Sequence, residues 1–102
     1  MKEETAGRPG VIGGVDTHKD LHVAAVVDEQ NRVIGTRCFA TTRQGYRQML
    51  AWMRAFGDLQ RIGVESTGSY GAGLLRFMQQ AKVAVLEVTT RSEEHTSELQ
   101  SP

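Results

Sequence analysis

The stretch Val11-Ile12-Gly13-Gly14-Val15-Asp16-Thr17-His18-Lys19-Asp20-Leu21-His22-Val23-Ala24-Ala25-Val26-Val27 decides how the rest of the chain is read. Val11 to Val15 is an apolar run of strand length that ends on a carboxylate. Val23 to Val27 is a second apolar run without polar alternation, the pattern of a central strand covered on both faces. The short polar link carrying Lys19 and Asp20 makes an antiparallel hairpin the economical connection. Asp16 then stands where the first strand ends, fixed by the sheet and open to solvent on one side. The same spacing also suits an Asp that merely opens a turn.

Outward from this hairpin the elements follow in order. Met1 to Gly10 is polar, closes on Gly7-Arg8-Pro9-Gly10, and is expected to be disordered. After the polar turn Asp28-Glu29-Gln30-Asn31, residues 32–40 read as a third strand and complete a meander. Thr41 and Gln44 fall at capping-box spacing and open a helix. Its apolar face is Tyr46, Met49, Leu50, Met53 and Phe56, with Gly57 placed to stop it. A Met and aromatic stripe of this kind is core packing. Arg61-Ile62-Gly63-Val64 is a fourth strand that delivers Glu65. Ser69 is a candidate cap for a second helix reaching about Gln80 through Leu74, Leu75 and Met78, and residues 83–88 are a fifth strand. The order β-β-β-α-β-α-β predicts an α/β fold, a mixed sheet with helices on its faces. It is similar to the ribonuclease H-like (RuvC-like) order, incomplete at its end.

The composition fits one soluble domain. Of 102 residues, 39% are hydrophobic and 24% charged. No run approaches the ~18 consecutive apolar residues of a membrane span, and Met1-Lys2-Glu3-Glu4 opens no signal peptide. Cys38 stands alone, so no internal disulfide forms, and a reducing cytoplasm is expected. The formal net charge of zero argues against a nucleic-acid binder, but it hides an uneven distribution. Residues 1–90 hold 11 of the 12 Lys+Arg and 9 of the 12 Asp+Glu, a net +2, which residues 91–102 cancel.

Those last residues differ in kind. Arg91 through Ser101 reverse-translates in one frame to a widely used short-read sequencing adapter, eleven consecutive matches. The segment is read as non-native, and the expected organisation is 1–10 amino terminus, 11–90 a truncated domain, and 91–102 foreign tail.

Asp16 and Glu65 each end a buried strand and precede a small-residue turn. In a ribonuclease H-like arrangement the first and fourth strands are neighbours, so both side chains would reach one metal. Mg²⁺ takes hard oxygen ligands, and a pair of such ions stabilises both the attacking and leaving oxygens of a phosphoryl transfer. Two carboxylates hold such a pair poorly, and four are expected.

Gly14-Val15-Asp16-Thr17-His18-Lys19-Asp20 and Val64-Glu65-Ser66-Thr67-Gly68-Ser69-Tyr70, with Thr41-Thr42-Arg43-Gln44-Gly45-Tyr46 between them, resemble insertion sequence family 110 transposases over roughly residues 11–89. The resemblance implies a RuvC-like domain with a DEDD metal set and Mg²⁺, in which Asp16 matches the first Asp and Glu65 the Glu. It implies that two further Asp residues, and a carboxy-terminal domain with a serine nucleophile, lie downstream of this sequence. The expected activity is DNA transposition, with this fragment inactive alone. Mobile-element and target DNA, an element-encoded guide RNA and a homo-oligomer are the implied partners. Lys82 stands where such proteins often have Gly.

Other residues have two readings each. His18 would share the side of Asp16 if the strand continued, and otherwise is a loop histidine. Asp20 is an outer-shell acid or a solvated one. Lys19, Arg43, Arg47 and Arg54 suit a nucleic-acid backbone or a solvated face. The competing class is an ATPase of the sugar-kinase or actin type, which shares this core and also opens on strand, Gly and Asp. There small residues follow the Asp and their backbone N–H groups hold phosphates, whereas here His18 and Lys19 occupy that place. A third reading is a non-catalytic nucleic-acid-binding fragment.

Overall fold

The computed structural model describes residues 8–66 and 69–89; the tail from residue 90 and the first seven residues lie outside them. Five strands, β1 (Gly10–Thr17), β2 (Leu21–Val27), β3 (Val33–Ala40), β4 (Asp58–Ser66) and β5 (Val85–Thr89), alternate with α1 (Arg43–Arg54) and α2 (Ala72–Gln80). The strands form one sheet in the order β3-β2-β1-β4-β5. The β1–β2 and β2–β3 pairs are antiparallel, as a meander of short links requires, and the β1–β4 and β4–β5 pairs are parallel.

Both helices lie on one face of the sheet, where the sequence suggested cover on both. The reason is chiral. The β3–α1–β4 and β4–α2–β5 crossovers step the same way across the sheet, and connections of one hand moving one way lay their helices on one side. Met49, Leu50 and Met53 of α1 and Leu74 and Met78 of α2 press on Val11, Val15, Ala24, Val26, Ile62 and Val64. Each of the larger side chains, fully buried, is worth about 1.5–3 kcal/mol. The opposite face carries Ile12, Gly14 and Asp16 of β1, Val23, Ala25 and Val27 of β2, and Gly63 and Glu65 of β4, none of them buried. At the edge, Leu86 and Val88 are 60% and 47% exposed. The apolar run of β2 is therefore covered on one side by the described elements.

The element ends differ in instructive ways. Asp16 and Glu65 fall inside β1 and β4, one residue short of each end. The cap of α1 is Thr42, whose hydroxyl accepts from the Gly45 N–H at 3.0 Å, and not Thr41. Gly45 must lie against the Ala40 carbonyl, with no room there for a Cβ, and this sets the first turn one residue late. Thr41 instead donates to the Lys19 carbonyl at 3.1 Å. The helix ends on Ala55, and Gly57 serves close packing under the Pro9 carbonyl. Pro9 and Arg8 are already held, by Asp58 N–H at 2.8 Å and on the Arg54 carbonyl at 2.6 Å, and Gly10 starts β1. At α2 the cap is Gly71, without a side-chain bond. Ser69 contributes its carbonyl to the Ala72 N–H at 3.2 Å instead.

After α2 the chain turns in a Schellman motif. Lys82 N–H bonds the Gln79 carbonyl and Val83 N–H the Met78 carbonyl, each at 3.0 Å. The motif places Lys82 at φ 64°, the left-handed region. A side chain there costs about 1–2 kcal/mol, which explains a preference for Gly. Lys82→Gly is therefore expected to stabilise the chain by about 0.5–1 kcal/mol, after the ~0.5–1 kcal/mol that glycine loses in chain entropy. Urea melts of the two proteins measure this, and a destabilised variant would contradict it.

Candidate functional site

Parallel pairing of β1 with β4 sets Asp16 directly opposite Glu65. Adjacent strands lie about 4.8 Å apart, and residues in register point to one face. Both carboxylates therefore stand side by side on the bare face. They rim an open cavity of about 560 Å³ floored by Gly14, Ala25 and Gly63 and walled by Val23 and Val88. A Cβ added at Gly14 or Gly63 would meet nothing, so the space above the floor is free.

Three side chains that the motif reading left out or left open hold this end of the sheet. Thr17, buried on the helix side, donates its hydroxyl to the Glu65 carbonyl at 3.2 Å. The bond staples the ends of β1 and β4 together beneath the two acids. His18 leaves the strand but stays against Asp16, with Nε2 3.2 Å from Oδ2 and both side chains more than half exposed. His18 N–H in turn bonds the Leu21 carbonyl at 3.1 Å and His22 Nδ1 at 3.3 Å. His22 is fully buried, stacks on Tyr46 with ring centroids 5.9 Å apart, and leaves Nε2 without a partner. Strict alternation from Val15 was the available signal for Thr17, and pairing across the hairpin was the signal for His22.

Lys19 lies in the β1–β2 turn, exposed. Arg43, Arg47 and Arg54 are exposed on α1, on the layer that faces away from the acids. The sheet does not bring them together with Asp16 and Glu65. Among the described residues no group of three or more His, Cys, Asp or Glu is placed to hold a metal, and no helix is long and apolar enough to cross a membrane.

Comparison with known proteins gives the family. The profile of DEDD transposases of insertion sequence family 110, described as transposase, matches residues 13–101. This chain belongs to that family. The matched range takes in the two carboxylate strands and also residues 91–101, the segment that the sequence reading takes as non-native. No curated protein matches. Among solved structures, Pelota of Archaeoglobus fulgidus is similar at 20% identity and TM-score 0.55, covering 95% of this chain and 32% of that one. The Ppx/GppA phosphatase of Aquifex aeolicus is similar at 14% identity and TM-score 0.56, covering 81% and 37%. The ethanolamine utilization protein EutJ of Carboxydothermus hydrogenoformans is similar at 14% identity and TM-score 0.53, covering 90% and 41%. The transposase chain thus spans 32–41% of the solved chains it resembles, and at these identities the likeness shows the ribonuclease H- and actin-like fold alone.

Two outcomes test the architecture of this strand end. At pH 8 without metal, Asp16→Asn is expected to be neutral or to stabilise by about 0.5 kcal/mol, since two solvated like charges on neighbouring strands repel weakly. Thr17→Val should cost about 1 kcal/mol for the lost hydrogen bond and Thr17→Ser much less. In the Thr17→Val background the gain from Asp16→Asn should shrink, because unstapled strand ends part and relieve the repulsion themselves. Denaturant melts of the cycle decide, and simple additivity would show that the staple does not oppose the acids.

The second concerns pH. Burial lowers the His22 pKa from its usual 6.5, with a further lowering by His18 and partial offsets from the Leu21 carbonyl and Asp16. The unfolded chain then binds this proton more tightly, so neutral His22 favours the fold above about pH 6.5 and that advantage is lost on acidification toward its folded value. His22→Leu should flatten this part of the stability profile. An unchanged slope between pH 7 and pH 5 would contradict the assignment.

Proposed function

We propose that Asp16 and Glu65 are two of the oxygen ligands of a divalent-metal centre, with Mg²⁺ the fitting ion, that cleaves DNA strands during transposition of an insertion sequence. The observation that supports it is the register of β1 and β4, which stands two carboxylates together on a face without helices, beside free volume. Hard anionic oxygens suit Mg²⁺, and the pair alone is too few for two ions. Two further acids would come from a part of the protein outside this sequence, along with the serine of a second domain. Bound metal would stabilise the attacking and leaving oxygens of a phosphoryl transfer. The chain's own residues position the ligands: the Thr17 staple fixes the strand ends, and His18 orients the Asp16 carboxylate. The family resemblance extends the reading to an element-encoded guide RNA and a homo-oligomer.

An ATPase of the actin type is disfavoured by the first turn. The His18 N–H, which would have to face a phosphate, is already shared between the Leu21 carbonyl and His22 Nδ1.

The 102-residue chain is expected to bind Mn²⁺ weakly, to lose that binding in Asp16→Asn, and to show no metal-dependent cleavage of branched or duplex DNA. Cleavage by the purified chain would overturn the ligand count. In the protein carried on through its native locus, Asp16→Asn or Glu65→Gln should each abolish cleavage while leaving DNA bound. Cleavage that survives either substitution would overturn the assignment.

A further inference from the structure

The two helices carry Arg43, Arg47, Arg54 and Arg76 and not one Asp or Glu. The first three form one stripe, since positions i, i+4 and i+11 fall within about 40° of each other around a helix. Arg76 of α2 faces the Arg43 end of that stripe across a cleft of about 230 Å³ lined by Arg43, Tyr46, Gly73, Arg76, Phe77 and Gln80. No carboxylate lines the cleft, and none of Arg43, Arg47 and Arg76 has a carboxylate partner among the described residues. The Arg54 end differs, because Asp58 stands beside it.

The cleft is built from the core outward. Tyr46 rests on buried His22 and against Phe77, with centroids 5.9 Å apart in both pairs. Gly73 allows α2 to close on the Tyr46 hydroxyl, to which a Cβ would come within 3.1 Å. The Arg43 guanidinium lies over the Phe77 ring at 5.8 Å, so one of the two cations is held in place by an aromatic face. Two planar guanidiniums, a hydroxyl and an amide line a cleft with room for a phosphate group, and guanidinium forks match phosphate oxygens.

We propose that this α1–α2 cleft binds a backbone phosphate of a nucleic-acid strand, on the layer facing away from Asp16 and Glu65. A strand held there is separated by the whole thickness of the sheet from any phosphodiester at the two carboxylates. The phosphate held at the cleft is therefore a different one from any at the two carboxylates, bound for its charge and not for cleavage. The site goes beyond the proposed metal centre and does not depend on it.

The test uses the 102-residue chain in EDTA, so that nothing is bridged to the carboxylates by metal. Fluorescence anisotropy measures binding to a labelled 20-nucleotide RNA, the same sequence as single-stranded DNA, and the corresponding duplex, across 50–200 mM salt. Salt-dependent binding to at least one probe is expected, and the probe bound most tightly identifies the source of the phosphate. Arg43→Gln and Arg76→Gln should each weaken binding about 5- to 10-fold and reduce the slope of log K against log salt by about one. Arg61→Gln, an exposed arginine on the bare face, should change affinity less than twofold. Gln80→Glu keeps both arginines and places a carboxylate in the cleft, so it should weaken binding at least as much even where an arginine variant folds poorly. Absence of salt-dependent binding to all three probes would overturn the proposal. So would equal losses in Arg61→Gln and Arg76→Gln, or an unaffected Gln80→Glu variant. Loss of Mn²⁺ binding in Asp16→Asn is read separately, so the metal centre and the cleft stand or fall independently.

Discussion

The parallel pairing of β1 with β4 is the joint on which the molecule depends. On one side of it lies the meander, made of local contacts; on the other, the crossover unit carrying β5. Met53 of α1 packs over that joint, against Gly13 of β1 beside Ile62 of β4, and both acids of the candidate centre sit on it. A slip of one residue would exchange the faces of β4, burying Glu65 under the helices and exposing Val64. The hydrophobic drive that buries Ile62 and Val64 therefore also fixes Glu65 beside Asp16. The Thr17 hydroxyl acts at the last pair, where no further ladder bond follows. Placement of the acids is a by-product of core packing, and precision at the end of the pair comes from a single side-chain bond.

The bare face follows from handedness and not from composition. Two crossovers of one hand moving one way leave the other side of the sheet to be covered by an element that returns against that direction, or by something outside the chain. The glycines and alanine under the cavity are consistent with that openness. Gly14 and Gly63 expose no side chain, so among the described residues the cavity beside Asp16 and Glu65 is walled by Val23 and Val88.

Much of this was legible in the residues. The apolar runs around Gly13 and Ala25 and the Met stripe of α1 specify five strands and two helices in the right order, because burial on one face imposes periods of 2.0 and 3.6. The neighbouring of Asp16 and Glu65 was legible through the ribonuclease H-like order, which sets the first and fourth strands side by side, though not from spacing alone. What stayed hidden depended on close contacts between distant segments. Thr41 and Thr42 are equivalent as caps until Gly45 is seen to lie on the Ala40 carbonyl. Gly57 resembles a helix stop until its packing under Pro9 is known. Lys82 stands out in the sequence only against the Gly common in similar proteins, and its left-handed backbone gives the reason for that preference. Arg76 drew no attention because a lone arginine on a helix has no pattern; only its position across from Arg43 gives it meaning.

That position exposes an asymmetry that net charge conceals. The sheet divides the charges unevenly between its faces, although Arg61 lies on the same side as the two acids. Asp16 and Glu65 project from the side without helices, while the two helices carry four arginines and no acids; Glu87 of β5 shares the helical side in register and Asp58 stands beside Arg54. Sorting of this kind has a physical consequence for any polyanion. Like-charge repulsion from the two carboxylates keeps a phosphate backbone off the bare face unless a cation intervenes, whereas the arginine stripe attracts one without help. A nucleic acid approaching the metal-free chain should therefore settle first on the helices. On the proposed reading, a divalent ion at Asp16 and Glu65 would then act on admission of a strand to the acidic face rather than on affinity for nucleic acid as such.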